Sequence, residues 1–321
     1  MPGPLVSVVI PFLDPSVDFL SEAVASVVAQ DYRPIELILV NDGSQLAIVE
    51  AAKCLAKDAG VPARCIEHPN GANRGISASR NLGGTAARGE YLAFLDADDV
   101  WVSDKLREQV RFLQTAPRVA MVFGLTRYWY SWSSAEGAPP ADDFIVSRGV
   151  EHAVTFYPPL FLSLFLRGKV IVPSTSNTMI RREAFIECGG FEEIFRGMYE
   201  DQAFLVKLGL KQTVAGLPRC WDNYRQHAHS MTARIAELDA EIAARRTFLA
   251  WVRDYCGRQD ISSPEVWEAI NKEIWLSGNP RPAAHRLKRW WLRLEEAVLP
   301  ASLRRRLWRG SRRTRASAGG F

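Results

Sequence analysis

The 321-residue chain is as informative for what it lacks as for what it holds. Its five cysteines (Cys54, Cys65, Cys188, Cys220, Cys256) are scattered, and none falls in a C-x-x-C pair. Neither a disulfide framework nor a zinc site is expected, and a reducing cytoplasm fits. No run of about 20 apolar residues is present. The most hydrophobic stretch, "FYPPLFLSLFLRGKVIV" (156–172), is broken by Pro158, Pro159, Arg167 and Lys169, so no transmembrane helix is predicted. The opening "MPGPLVSVVIPFLD" lacks the basic and cleavage-site features of a secretory signal and reads as part of the fold. Neither G-x-x-x-x-G-K-[ST] nor G-x-G-x-x-G occurs, which removes support for a P-loop or a dinucleotide fold.

Charge is unevenly spread. The formal net charge is +4, yet residues 281–321 hold twelve Arg or Lys against two Glu, leaving 28 basic against 34 acidic groups in residues 1–280. A basic tail on an acidic body speaks against nucleic acid as partner and for a tail that meets an anionic surface.

The periodicity then speaks for the fold. "LVSVVIPFL" (5–13) and "IELILVN" (35–41) are continuous β-branched and apolar runs, the form of strands buried on both faces of a parallel sheet. Between them Phe19, Leu20, Ala23, Val24, Val27 and Val28 recur at helical spacing after an Asp14-Pro15-Ser16 start signal, making a βαβ unit. Helix "LAIVEAAKCLAKDAG", strand "RCIEH", helix "SASRNLGGTAA" and strand "EYLAFLD" continue the alternation. The predicted class is α/β, a doubly wound sheet with ligands at the carboxyl ends of its strands. "VAMVFGLTRYWYSW" is expected as a strand or hairpin, and 232–257 as helical. Beyond Pro280, Leu287, Trp290, Trp291, Leu294 and Val298 share one helical face, with Leu303 and Leu307 after Pro300, and the last residues read as disordered.

Five segments carry chemistry. "YLAFLDADDVW" (91–101) sets Asp96, Asp98 and Asp99 behind an apolar strand. Asp96 and Asp98, separated by the small Ala97, can approach one hard cation; a solvated Asp-rich turn is the alternative. Together with "VSVVIPFLD", "VNDGS", "NRGISASRNLGGTAARGEY" and "GGFEEIFRGMYEDQAF", in that order, the stretch resembles the glycosyltransferase family 2 enzymes of the GT-A fold over roughly residues 5–232.

The resemblance implies a GT-A, Rossmann-like mixed sheet with a helical, basic C-terminal extension. Its expected divisions are a catalytic domain over 1–231 (nucleotide-binding half about 1–115, acceptor half about 116–231), a helical extension over 232–280, and a basic amphipathic tail over 281–321. It also implies a metal-dependent inverting transfer of sugar from a nucleotide-diphosphate sugar to an acceptor hydroxyl. Nucleotide contacts fall on Pro11, Phe12, Asp14, Asp42, Asn73, Gly75, Arg80, Asp96 and Ala97, with Asp42 accepting from a base N–H unless it merely makes an Asx-turn before Gly43. Ser79 stands where the family's N-x-G-x-x-x-A-R-N segment has Ala, just before Arg80 and Asn81.

Mg²⁺ or Mn²⁺ would sit on Asp98 and Asp96, with Asp99 supporting. "YEDQAFLVKL" (199–208) matches the family's E-D motif, which makes Asp201 the catalytic base and Glu200 its support; acids complementing a helix dipole are the alternative. "YRQHAHSMT" (224–232) resembles a Tyr-Arg-x-His-x-x-Ser pattern and offers His227 to the diphosphate or metal, whereas His229 has no match. Trp221 is either core or acceptor wall.

Expected partners are the donor, a glycan or lipid-linked acceptor of surface polysaccharide assembly, and an anionic membrane at the inner face of the cell. The tail would otherwise pack on the catalytic domain. A nucleotidyltransferase would show a glycine-rich loop after its first strand, and "PFLDPS" has no glycine. A silent binding module would show a broken D-x-D or E-D motif, and both are whole.

Overall fold

The structure is a computed structural model that describes residues 3–133, 142–227, 230 and 238–279. Ten strands among the described residues form one mixed sheet. They are β1 (Val6–Phe12), β2 (Ile35–Asn41), β3 (Ala63–Glu67), β4 (Tyr91–Phe94), β5 (Val100–Trp101), β6 (Val119–Trp129), β7 (Phe144–Ile145), β8 (Val154–Phe156), β9 (Met179–Arg181) and β10 (Thr213–Arg225). The order is β3-β2-β1-β4-β9-β6-β10-β5, with β7 on β6 and β8 on β10. β1 runs parallel to β2 and β4, and β2 to β3. β9 lies antiparallel to both β4 and β6, so the sheet is doubly wound at one end and mixed at the other.

The helices are α1 (Val17–Val28), α2 (Leu46–Asp58), α3 (Ile76–Ala86), α4 (Lys105–Thr115), α5 (Leu160–Leu166), α6 (Arg182–Glu187), α7 (Glu200–Lys211), α8 (Leu238–Arg258) and α9 (Pro264–Gly278). Alternation along the strands sorts them into two layers. Val8, Ile10, Leu37 and Leu39 join α1, α2 and α4 on one face, while Val9, Ile38 and Val40 join the core that α5 to α9 complete on the other. α3 lies flat on β1, because a Cβ on Gly83 would come within 2.3 Å of Val9 Cγ1. That close approach brings Arg80 to the strand ends.

The segment 156–172 forms part of β8 and α5, and no helix among the described residues is long and apolar enough to cross a membrane. "VAMVFGLTRYWYSW" supplies β6, a strand running between β9 and β10. Its central place explains why it is apolar on both faces. Within the helical extension expected over 232–280, the described residues form α8 and α9. Phe248, Leu249, Val252 and Cys256 of α8 and Val266, Ala269 and Ile270 of α9 are buried in the same core as Phe123 and Leu205. The helical extension is therefore continuous with the catalytic core. The tail 281–321, with its amphipathic face, lies outside the described residues, as does His229.

Candidate active site

The carboxyl ends of β1, β2 and β4 converge, and each is followed by a carboxylate. At β2, Asn41 and Asp42 divide two tasks. The Asn41 Oδ1 accepts the backbone N–H of Gly43 at 3.2 Å and of Ser44 at 2.8 Å, so the Asx-turn belongs to Asn41. Asp42, 4% exposed, accepts instead from the N–H groups of Arg74 at 2.8 Å and Gly75 at 3.0 Å. This joins the "NDGS" turn to the entry of α3. Gly75 has φ of 90°, a left-handed conformation that a side chain resists. Asp14, exposed after β1, closes the same rim by accepting the Gln45 N–H at 2.7 Å. Pro11 and Phe12 are buried in β1, and Asn73 is exposed on the loop before α3.

The "DADD" turn after β4 holds three carboxylates in three environments. Asp96 pairs with Arg80, its Oδ1 2.6 Å from Nη2. Asp98 points the other way, its Oδ2 3.0 Å from His227 Nε2. Asp99 is 1% exposed and turned into the protein, accepting from Ser176 Oγ at 2.9 Å and from the Arg225 N–H at 3.1 Å. Burial, and after it the charges of Asp98, Asp96 and Asp222, push the Asp99 carboxyl well above the usual carboxylate range. Ala97, largely buried, spaces Asp96 from Asp98.

Among the described residues no three His, Cys, Asp or Glu side chains converge as a cation cage. The Asp98–His227 pair nevertheless fits a divalent cation. Two neighbouring ligands of an octahedral ion with bonds of about 2.1 Å lie about 3.0 Å apart, and such ions take one or two protein ligands plus phosphate oxygens. Asp96, expected beside Asp98 on the cation, has Arg80 as its partner.

Across the cleft, α7 begins with Glu200 and Asp201. Tyr199 enters it at φ of 69° and stacks on Phe248 of α8 at 4.7 Å, so the helical extension props the acid pair. Both acids have their pKa raised, chiefly by burial: Glu200 further by Asp201, and Asp201 despite the Gln202 N–H and the Arg80 charge, which pull it down. Glu200 Oε2 is buried without a hydrogen-bond partner. Arg80 is buried, not on the helix surface, and sits 5.3 Å over the Phe191 ring. Next to it Asn81 clasps Phe191, accepting its N–H at 2.8 Å and donating to its carbonyl at 3.0 Å. "RN" and "GGF" are thus one unit, and Arg80, paired with Asp96, also feels the charges of the α7 acids.

Several residues that build the site escaped the sequence reading. Ser176 accepts from the Asp96 N–H at 3.1 Å as well as donating to Asp99. Asn177 donates to Asp222 and to the Leu125 carbonyl at 2.7 Å, and accepts from the Gly124 N–H. Burial pushes Asp222 up to about 6 and Lys105, whose Nζ lies 4.2 Å over Trp101, down to about 7. The polar run "PSTSNT" amid apolar neighbours was the available signal. Trp221 resolves as core at 1% exposed.

The family description "Glycosyl transferase family 2" matches residues 7–189, more than half of the chain. The chain belongs to glycosyltransferase family 2. Among its relatives, an uncharacterised glycosyltransferase of Rickettsia felis is 36% identical over 109 residues, 34% of this chain and 17% of that one. One of Haemophilus influenzae is 36% identical over 111 residues, 34% and 42% of the two chains. The putative teichuronic acid biosynthesis glycosyltransferase TuaG of Bacillus subtilis is 32% identical over 143 residues, 44% and 52%. The matches thus span between about a sixth and about half of these relatives' lengths.

Solved structures share the GT-A fold of this family 2 chain. S. aureus TarS residues 1–349, in complex with UDP-GlcNAc, superposes with a TM-score of 0.58 at 16% identity, covering 76% of this chain and 65% of TarS. The mannosyltransferase PcManGT of Pyrobaculum calidifontis, in complex with GDP-Man and Mn²⁺, gives 0.57 at 17% identity, covering 96% and 80%.

Proposed function

We propose that this chain is a metal-dependent inverting glycosyltransferase that moves one sugar from a nucleotide-diphosphate sugar to an acceptor hydroxyl. The observation that carries the reading is the buried Arg80, ion-paired to Asp96 and within electrostatic reach of Glu200 and Asp201. That arrangement supports a reading in which a leaving-group side and a proton-accepting side share one site.

Asp42, with Pro11, Phe12, Asp14, Asn73 and Gly75 around it, would hold the nucleoside. Asp98 and His227 would hold Mg²⁺ or Mn²⁺, which when bound supplies Lewis-acid relief of charge on the departing diphosphate. Asp201 would accept the proton of the attacking hydroxyl as the new C1–O bond forms on the face opposite the leaving group, which inverts the anomeric centre. A carboxylate raised above its ordinary pKa is a stronger base, provided it stays ionised, and Arg80 favours the ionised form. Glu200 would orient the acceptor. The twelve basic residues of the tail support an acceptor at an anionic membrane surface, such as a lipid-linked glycan.

A thermal-shift screen of UDP, UDP-GlcNAc and GDP-Man with and without Mn²⁺ tests the reading. At least one should stabilise the protein, by about 2.7 kcal/mol at a hundredfold excess over its Kd, and more with Mn²⁺. Stabilisation by none, in either condition, would contradict it.

A further inference from the structure

Arg225 is the last residue of β10, two positions before His227, and the roles proposed above leave it without one. Its side chain is 2% exposed, yet it touches the "DADD" turn and three other elements. The guanidinium lies 4.3 Å over the ring of Phe19 on α1, 4.8 Å over Trp129 at the end of β6 and 4.9 Å over Trp132 beyond it. Nη2 donates to Glu22, also on α1. Nε donates to the Asp98 carbonyl at 2.8 Å, and the backbone N–H to Asp99 Oδ1 at 3.1 Å.

The cage extends to the other ligand candidate. Phe19 meets the His227 ring at 5.4 Å, edge to face, and Trp132 donates Nε1–H to the Gln226 carbonyl at 2.8 Å. Both members of the Asp98–His227 pair are therefore placed through one arginine and its aromatic walls.

We propose that Arg225 is a positioning residue that sets the Asp98–His227 pair for the divalent cation, an inference that rests on the metal reading above. A planar fork can reach the Asp98 carbonyl and Glu22 at once while its charge stays within 5 Å of three ring centroids; a lysine ammonium keeps the charge and cannot span both acceptors. Groups that orient metal ligands without touching the ion typically change metal affinity about 10–100-fold when altered.

The test is Mn²⁺ titration of the full chain by electron paramagnetic resonance, alone and with UDP or GDP, on the wild type, Arg225→Lys, Glu22→Gln and Phe19→Leu. Nucleotide affinity in EDTA and the melting temperature are measured beside it. Arg225→Lys is expected to weaken Mn²⁺ binding about 10–100-fold. Glu22→Gln and Phe19→Leu should weaken it by a smaller factor, with nucleotide affinity in EDTA unchanged in all three. Should Arg225→Lys fail to fold, the other two carry the test, since each leaves the arginine in place.

Mn²⁺ affinity equal to wild type in every folded variant overturns the role assigned to Arg225 alone. No Mn²⁺ binding by the wild type, with or without nucleotide, removes the metal reading and this inference with it.

Discussion

The two carboxylate groups of the cleft are held in opposite ways. Asp96, Asp98 and Asp99 each have a named partner: Arg80, His227, and Ser176 with Arg225. Glu200 and Asp201 have little beyond the Gln202 N–H and the field of Arg80, and one Glu200 oxygen is buried with no hydrogen bond. Like charges at the end of a strand are tolerable when each is turned toward a different partner. The α7 pair instead keeps acceptor capacity and a raised pKa, properties suited to receiving a proton. The difference teaches that fixed partners are concentrated on the "DADD" turn and raised carboxyl pKa values on the α7 pair, as the proposed division of labour requires.

Substitutions can break that contrast. The largest effect is expected for Asp201→Asn, a loss of transfer of about 10²–10⁴-fold in single-turnover assays. Asp98→Asn should follow at about 10²–10³-fold, together with loss of Mn²⁺ dependence. Asn177→Ala acts on stability instead: it removes a buried partner of the Gly124 N–H, the Leu125 carbonyl and Asp222 at once. A stability loss of about 3 kcal/mol in urea unfolding is expected.

Two pH effects are smaller. The base must be ionised, so transfer should fall as pH drops through the pKa of Asp201, which lies above the ordinary Asp value. Because Arg80 holds that pKa down, Arg80→Gln should move the acid limb of the pH–rate profile upward. Asp222, at about 6 when folded against 3.8 ordinarily, retains its proton in the folded state where the unfolded chain has released it. Its contribution to stability is therefore fully present below the ordinary value and is lost as pH rises to about 6. Asp222→Asn should flatten that part of the urea midpoint curve relative to wild type.

The N-terminal half was legible because its determinants are local. β1, α1, β2, α2, β3, α3 and β4 alternate in chain order, and apolar runs of strand length announce them. The motif residues Asp42, Arg80, Asp96 and Asp98 sit on the turns that close each unit. The rest of the site depends on partners far apart in the chain: Asn81 with Phe191, Tyr199 with Phe248, and Asp99 with Arg225. Neither period nor composition carries such pairings. For the same reason the burial of Arg80 and its ion pair with Asp96 are not legible in the sequence: they emerge only once α3 docks on β1. Asp42 was ambiguous with an Asx-turn until Asn41 took that role.

The division of labour is tested most directly by calorimetric titration of Asp201→Asn and Asp98→Asn with the stabilising nucleotide diphosphate, with and without Mn²⁺. Asp201→Asn is predicted to bind as the wild type does, including the Mn²⁺-dependent gain, while Asp98→Asn loses that gain. Loss of nucleotide binding in Asp201→Asn, or an undiminished Mn²⁺ gain in Asp98→Asn, would contradict the account.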